Sequence, residues 1–260
     1  MELQAFIPAA GLGTRLRPLT DHQPKALVSI GGKALLSHVT ERLMDIGVRH
    51  FVINIHHFAE QIMEYVERQR WDANICFSDE REQLLDTGGG LKQALSMCSG
   101  RGPILVHNVD VISAIDLNLL VEQHLRQQSL VTLAVSRRDS SRQLLFDRHQ
   151  QLVGWCNRAR GEVIRSRKAA SYSEWAYSGI AVVEKRLEEL LPDTPPAYPI
   201  IPEYIRLSNE HTISKFQHES NIWADVGRIE TLQALEQRCA LFDLSTTNDA
   251  NCMLRKKASE

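Results

Sequence analysis

No Cys-x-x-Cys pair occurs in this sequence; its five cysteines, at 76, 98, 156, 239 and 252, are scattered and odd in number. That pattern argues against a zinc knuckle and against a disulfide framework, and it suits free thiols in a reducing cytoplasm. No apolar run approaches the ~20 residues needed to span a bilayer, and no basic stretch followed by an apolar core and a cleavage site marks a signal peptide. Charge of one sign is also lacking: the formal net charge is -2, so no global basic field points to nucleic acid or to an anionic membrane. Aromatic residues make up 6% of the chain, too few for a base-stacking platform. His56 and His57 follow one another, but no third ligand stands at a spacing suited to a metal.

What is present is a rhythm. Apolar runs at 3–9, 50–55, 74–79, 103–111 and 130–136 alternate with amphipathic stretches at 34–47, 59–70, 90–98 and 116–127. Strand and helix in alternation mean βαβ units and a parallel sheet covered on both faces. Gly47 stands where the first long helix should end, and the helix at 90–98 is expected to begin at the run of glycines. After about residue 137 the strands come closer together, as antiparallel additions would. The expected fold is α/β: a Rossmann-like mixed, mostly parallel sheet flanked by helices, a single domain over 1–243. The polar, aperiodic segment 244–260 is expected to be a flexible tail.

The first strand runs into "AAGLGTRLRPLTDHQPKAL" (9–27). Open α/β sheets bind ligands at the carboxyl ends of their strands, and glycine lets several backbone N–H groups approach an anion. Two familiar phosphate loops fail here. The P-loop pattern is absent, and the dinucleotide pattern needs glycine where Leu16 stands. Arg15, Arg17 and Lys25 instead place guanidinium forks and an ammonium beside the turn, a set suited to a polyphosphate.

This stretch, continued in "PKALVSIGGKALLSHVTERLMDIGV" and "VINIHHFAEQI", resembles the N-terminal signature of the sugar-1-phosphate nucleotidylyltransferases. The likeness covers most of residues 3–240 and is strongest before 111. It implies that Gly11, Gly13, Thr14, Arg15 and Lys25 meet the phosphates of a nucleoside triphosphate, with backbone at Ala9 and Ala10 against the base. "LLDTGGGL" (84–91) matches the second nucleotide element, with Gly88 and Gly89 beside the base and Asp79 or Glu80 near base or ribose. Asp110, in "VHNVDV", and Asp225, in "WADVG", match the two carboxylates that hold Mg²⁺. Catalysis would then rest on Arg15, Lys25 and Asp110. Tyr177, Ser178 and Gly179, in "YSGIAVV", match a strand that borders the sugar pocket.

Two departures stand out. Val109 replaces a usual glycine before Asp110, where it would crowd the sugar or shift the loop. The Glu-Lys pair that many relatives carry in a middle strand is missing from "LVGWCNRARGE". Asn157 would take a sugar hydroxyl there, and Arg158 or Arg160 the phosphate. The resemblance implies a triphosphate and a sugar 1-phosphate as substrates, in the cytoplasm and for nucleotide-sugar supply to a cell envelope. The triple glycine favours UTP and an amino sugar of the muramate type. Mannose-1-phosphate guanylylation and phosphocholine cytidylylation remain open, and so does a relative that senses nucleotide without turnover.

Overall fold

A computed structural model describes residues 2–168, 171–219 and 222–242; the expected tail at 244–260 lies outside them. In chain order the elements are β1 (Gln4–Pro8), β2 (Ser29–Ile30), β3 (Lys33–Ala34), α1 (Leu35–Asp45), β4 (His50–Ile55), α2 (Ala59–Gln69), β5 (Asn74–Asp79) and α3 (Asp86–Met97). They continue with β6 (Ile104–His107), β7 (Val111–Ser113), α4 (Leu117–Gln127), β8 (Val131–Ser136), β9 (Arg142–Phe146), β10 (Leu152–Asn157) and β11 (Glu162–Arg165). The last are β12 (Ser173–Val183), α5 (Leu187–Leu190), α6 (Ile200–Leu207), β13 (Ile213–Gln217), β14 (Trp223–Asp225) and α7 (Ile229–Phe242).

The main sheet has ten strands, ordered β11-β10-β9-β12-β6-β1-β4-β5, with β8 on β12 and β13 on β8. Its β6-β1-β4-β5 portion is parallel. From β12 outward the pairings to β6, β8 and β9 are antiparallel, and β13 joins β8 in parallel. The α/β expectation with antiparallel additions therefore matches the architecture.

Strand alternation divides the core. Ala5 and Ile7 of β1 and Phe51, Ile53 and Ile55 of β4 face one way, under α1, α2 and α4. Phe6, Val52, Ile104 and Val106 face the other way, under α3 and α6. This is the period-2 pattern of a sheet buried on both sides. Helix α1 buries Leu35, Leu36, Val39 and Leu43, one stripe at helical spacing. Asp116 caps α4 by accepting from the Leu119 amide at 3.0 Å.

One boundary differs from expectation. Helix α3 starts at Asp86, so the three glycines lie inside its first turns instead of preceding it. Glycine weakens a helix interior by roughly 1 kcal/mol relative to alanine, so packing must require it here. A side chain at Gly88 would lie 2.7 Å from the Tyr198 carbonyl, and one at Gly90 would lie 2.8 Å from Glu80 Oε1. At Gly89 it would run into the backbone carbonyl of Pro196. The triplet lets α3 press against the 196–198 segment on one side and the β5 end on the other.

Candidate active site

The chain leaves β1 through Ala9 and Ala10, whose amides both donate to Asn54 Oδ1, at 2.6 and 3.1 Å. Asn54 in turn donates to Glu80 Oε1 at 2.8 Å, and Glu80 Oε2 accepts from the Leu85 amide at 2.9 Å. One buried amide and one buried carboxylate thus tie together the ends of β1, β4 and β5 and the entry to α3. Burial holds the Glu80 carboxyl above its usual range, against the two hydrogen bonds that favour its anion. His56 adds a contact between its Nδ1 and the Glu80 carbonyl at 2.8 Å. Glu80 is 2% exposed, so its oxygens serve this brace, while Asp79 lies at the surface, paired with Arg81 at 2.6 Å.

Beyond Ala10 the loop is open. Gly11, Thr14 and Arg15 are exposed, and Leu16 is fully buried and anchors the turn. Gly13 takes a left-handed conformation, φ 63°, and its carbonyl accepts from Thr20 Oγ1 at 2.9 Å. The next turn, Lys25–Leu27, carries Lys25 inward to 9% exposure, where its ammonium meets the carboxylate of Asp110.

Asp110 sits between β6 and β7. Strand β14 returns antiparallel to β7 with Asp225 opposite Val111, and the Val226 amide donates to the Asp110 carbonyl at 2.8 Å. A small two-stranded ribbon therefore brings together two aspartates 115 positions apart in the chain. Arg15 joins them: a side chain at Gly227 would lie 2.7 Å from Asp225 Oδ1 and 2.8 Å from Arg15 Nη2. Gly227 leaves the gap in which carboxylate and guanidinium approach each other. Burial first, and then the Asp110 charge, hold the Asp225 carboxyl above the usual range, with Lys25 and Arg15 pulling the other way. Asp225 Oδ1 is buried with no hydrogen-bond partner.

Val109 is 4% exposed and packs into the core under α1 and α4, so it does not intrude on the space beside Asp110. The space is bounded instead by Gly179, whose φ of 76° breaks the register of β12 against β8. A side chain there would meet Val111 Cγ2 at 2.8 Å and Asn108 Nδ2 at 3.0 Å, and the Asn108 amide donates to the Gly179 carbonyl at 2.9 Å. Ser178 is fully buried, its hydroxyl shared between His218 Nε2 at 2.7 Å and Arg138 Nη1 at 3.2 Å. The Tyr177 carbonyl also accepts from Arg138.

The other sequence candidates lie on the antiparallel wing. Asn157, at the end of β10, is buried with an unpartnered Oδ1. Arg158 is engaged with Glu174 through Nε at 2.8 Å and through Nη2, and Arg160 faces Glu162 at 3.9 Å. Asn54, Asn108 and Arg138 escaped sequence reasoning. Each stands at or just past a strand end, and its partners are supplied only by the fold.

The arrangement brings two cations and two carboxylates together at the strand ends. Among the described residues no cluster of three or more His, Cys, Asp or Glu side chains could hold a metal, so any cation here would have two carboxylates and ligands from elsewhere. Among those residues no helix is long and apolar enough to cross a membrane.

Residues 4–144 match the family model described as "Nucleotidyl transferase". The N-acetylmuramate alpha-1-phosphate uridylyltransferase of Caulobacter vibrioides is 31% identical over 245 residues, covering 91% of this chain and 96% of that one. A mannose-1-phosphate guanyltransferase of Yarrowia lipolytica is 34% identical over 138 residues, 52% of this chain and 38% of its own. Among solved structures, UDP-glucose pyrophosphorylase from Acinetobacter baumanii superposes with a TM-score of 0.75 at 15% identity, over 98% of this chain and 99% of that one. HddC from Yersinia pseudotuberculosis, complexed with GMP-PN, gives 0.71 at 21%, over 90% of this chain and 98% of that one. At those identities the structures speak to the fold alone, whereas the sequence matches fix the lineage: the chain belongs to the nucleotidyl transferase family and, within it, to the sugar-1-phosphate nucleotidyltransferases.

Proposed function

We propose that this chain joins UTP to the 1-phosphate of an amino sugar of the muramate type, releasing pyrophosphate, with Mg²⁺ as cofactor. The observation that carries the reaction class is the meeting of Arg15, Lys25, Asp110 and Asp225 at one point on the sheet. UTP and the muramate-type sugar rest on the uridylyltransferase relative that this chain matches over 96% of its length. Cytoplasmic supply of an envelope precursor follows from that substrate pair.

A divalent cation fits the residues present. Two carboxylates lie side by side, one with a buried oxygen that nothing bonds, and the like charge beside it is relieved by a cation. Asp110 and Asp225 would hold it, with phosphate oxygens and water completing a hard-cation shell. When bound, Mg²⁺ neutralises charge on the phosphates and polarises the phosphorus. The chain supplies the rest. Gly11, Gly13 and Thr14 would offer the loop to the triphosphate, and Lys25 and Arg15 would meet charge that builds on the departing pyrophosphate. The attacking oxygen of a sugar phosphate is already ionised, so no side chain need remove a proton. The wall against the sugar would be Tyr177, Ser178 and Gly179. Ala9 and Ala10, held by Asn54, and Gly88 and Gly89, held by Tyr198 and Pro196, would give the base a rigid backbone edge. Glu80 supports that edge from behind. Asn157 and Arg158 would lie at the far rim of the acceptor pocket.

Pyrophosphate release from the common triphosphates, each with Mg²⁺ and a panel of sugar 1-phosphates, tests this reading. The expected pair is UTP with N-acetylmuramate 1-phosphate. Preference for GTP with mannose 1-phosphate would replace the substrate assignment, and silence across the panel with triphosphate binding intact would replace the enzyme by a sensor. Arg15→Ala should lower kcat/KM by about 2–4 kcal/mol of transition-state stabilisation.

A further inference from the structure

The side chain that follows β8 is built like a ligand anchor. Arg138 Nη1 donates to Ser136 Oγ at 3.0 Å, Ser178 Oγ at 3.2 Å and the Ala176 carbonyl at 3.3 Å, and Nη2 donates to the Tyr177 carbonyl. The guanidinium lies over the Trp223 ring, 3.8 Å from its centre. Trp223 is fixed by its own Nε1–H to the Ser178 carbonyl at 3.0 Å, and Ser178 by His218. Every one of these acceptors is neutral. Burial works against the Arg138 charge, and Asp225 is the acidic side chain whose field offsets it. A half-buried cation caged by neutral groups is costly unless an anion comes to it.

Donor counting gives the shape of that anion. Of five guanidinium N–H groups, the Nε–H and one on Nη2 have no acceptor among the described residues. Nε and Nη2 share one edge of the group, and with the Tyr177 carbonyl on one Nη2 N–H, the other and the Nε–H are left to the oxygens of an anion such as a phosphate. Trp223 and Asp225 are two apart on β14 and so share a face of the ribbon, which sets the guanidinium stacked on Trp223 within the field of the Asp225 carboxylate. Arg15 and Lys25 come from the segment after β1. Arg138 comes from β8, three ladder steps away through β6 and β12. The cations therefore flank the aspartates from two sides, as an in-line transfer between two anions requires.

We infer that Arg138 anchors the 1-phosphate of the acceptor sugar. The inference rests on the transferase reading above. It does not need Arg158 or Arg160, which already face Glu174 and Glu162.

The test uses the full chain and two readouts. In steady-state kinetics Arg138→Ala should raise KM for the sugar 1-phosphate about 10- to 100-fold, the range expected for losing a charged hydrogen bond, with KM for the triphosphate within about twofold of wild type. Arg138→Lys should recover part of the loss, since it restores the charge without the fork. An unchanged acceptor KM would overturn the assignment and leave the transferase standing. A penalty seen with muramate but not with glucosamine phosphates would move Arg138 to the sugar's carboxylate, also overturning it. The second readout is tryptophan emission on titrating N-acetylmuramate 1-phosphate and N-acetylglucosamine 1-phosphate with a non-hydrolysable triphosphate present. A saturable change that Trp223→Phe and Arg138→Ala both remove supports the anchor. No Trp223-dependent change in the wild type rejects it, even if turnover has failed and taken the transferase reading with it.

Discussion

The ammonium of Lys25 rests on the carboxylate of Asp110, 85 residues further along the chain and on the far side of β1. Both side chains are largely buried, so neither charge is dissipated by water. Removing the cation leaves Asp110 and Asp225 facing each other with Arg15 as the nearest relief. Lys25→Met should therefore lower the melting temperature, by the several degrees that roughly 3 kcal/mol represents in a chain this size. Added Mg²⁺ should restore part of that loss by replacing the missing charge. Differential scanning fluorimetry with and without Mg²⁺ checks both signs, and a variant as stable as wild type in EDTA would deny that the pair matters to the fold.

Asp225→Asn should do the reverse. Its carboxyl is held above the ordinary range by burial and by Asp110. A raised acid pKa means that the native state binds its proton more tightly than the unfolded chain, so the ionised group weakens the fold at neutral pH. Neutralising it should raise the melting temperature in EDTA while turnover falls by a factor of 10³ or more, because one carboxylate for the cation is gone. A variant that is both active and metal-dependent would remove Asp225 from the cation site.

The alternation of strands and helices was legible because buried parallel strands and amphipathic helices leave different periods in the sequence. The cations and aspartates were legible because they stand in short motifs beside those strand ends. Asn54 was not. A single asparagine at the end of "VINI" has no local signal, and its role exists only once β1 and β5 lie beside β4. Arg138 was hidden in the same way, since Ser178 and Trp223 reach it from 40 and 85 positions away, and His218 holds Ser178 in turn. The triple glycine was read by type and misplaced by position. Glycine commonly borders helices, and only the contact with Tyr198 and Pro196 explains three of them within one.

That contact makes Gly89→Ala informative. The added methyl meets a backbone carbonyl at Pro196, which cannot swing aside as a side chain would. Destabilisation of about 1–3 kcal/mol is expected from overpacking, with triphosphate affinity in the surviving folded protein reduced far less. Urea unfolding together with triphosphate titration separates the two effects. Wild-type stability with lost nucleotide binding would show that the glycine serves the ligand directly.

His107 closes β6, three residues before Asp110. Its Nδ1–H donates to the Asn108 carbonyl at 2.9 Å, and its Nε2 is buried without a partner. Burial, reinforced by the Arg42 charge, pulls its pKa down to about 3. The imidazole is neutral in the fold, whereas the unfolded chain takes up a proton near pH 6.5. As pH falls through 6.5 the unfolded state binds the extra proton, so stability is lost by about 1.4 kcal/mol per pH unit until the folded pKa is reached. His107→Gln cannot titrate, and its unfolding free energy should decline less steeply than wild type between pH 6.5 and 4.5. Urea melts at half-unit steps give the difference in slope; parallel lines would mean that the histidine protonates within the fold.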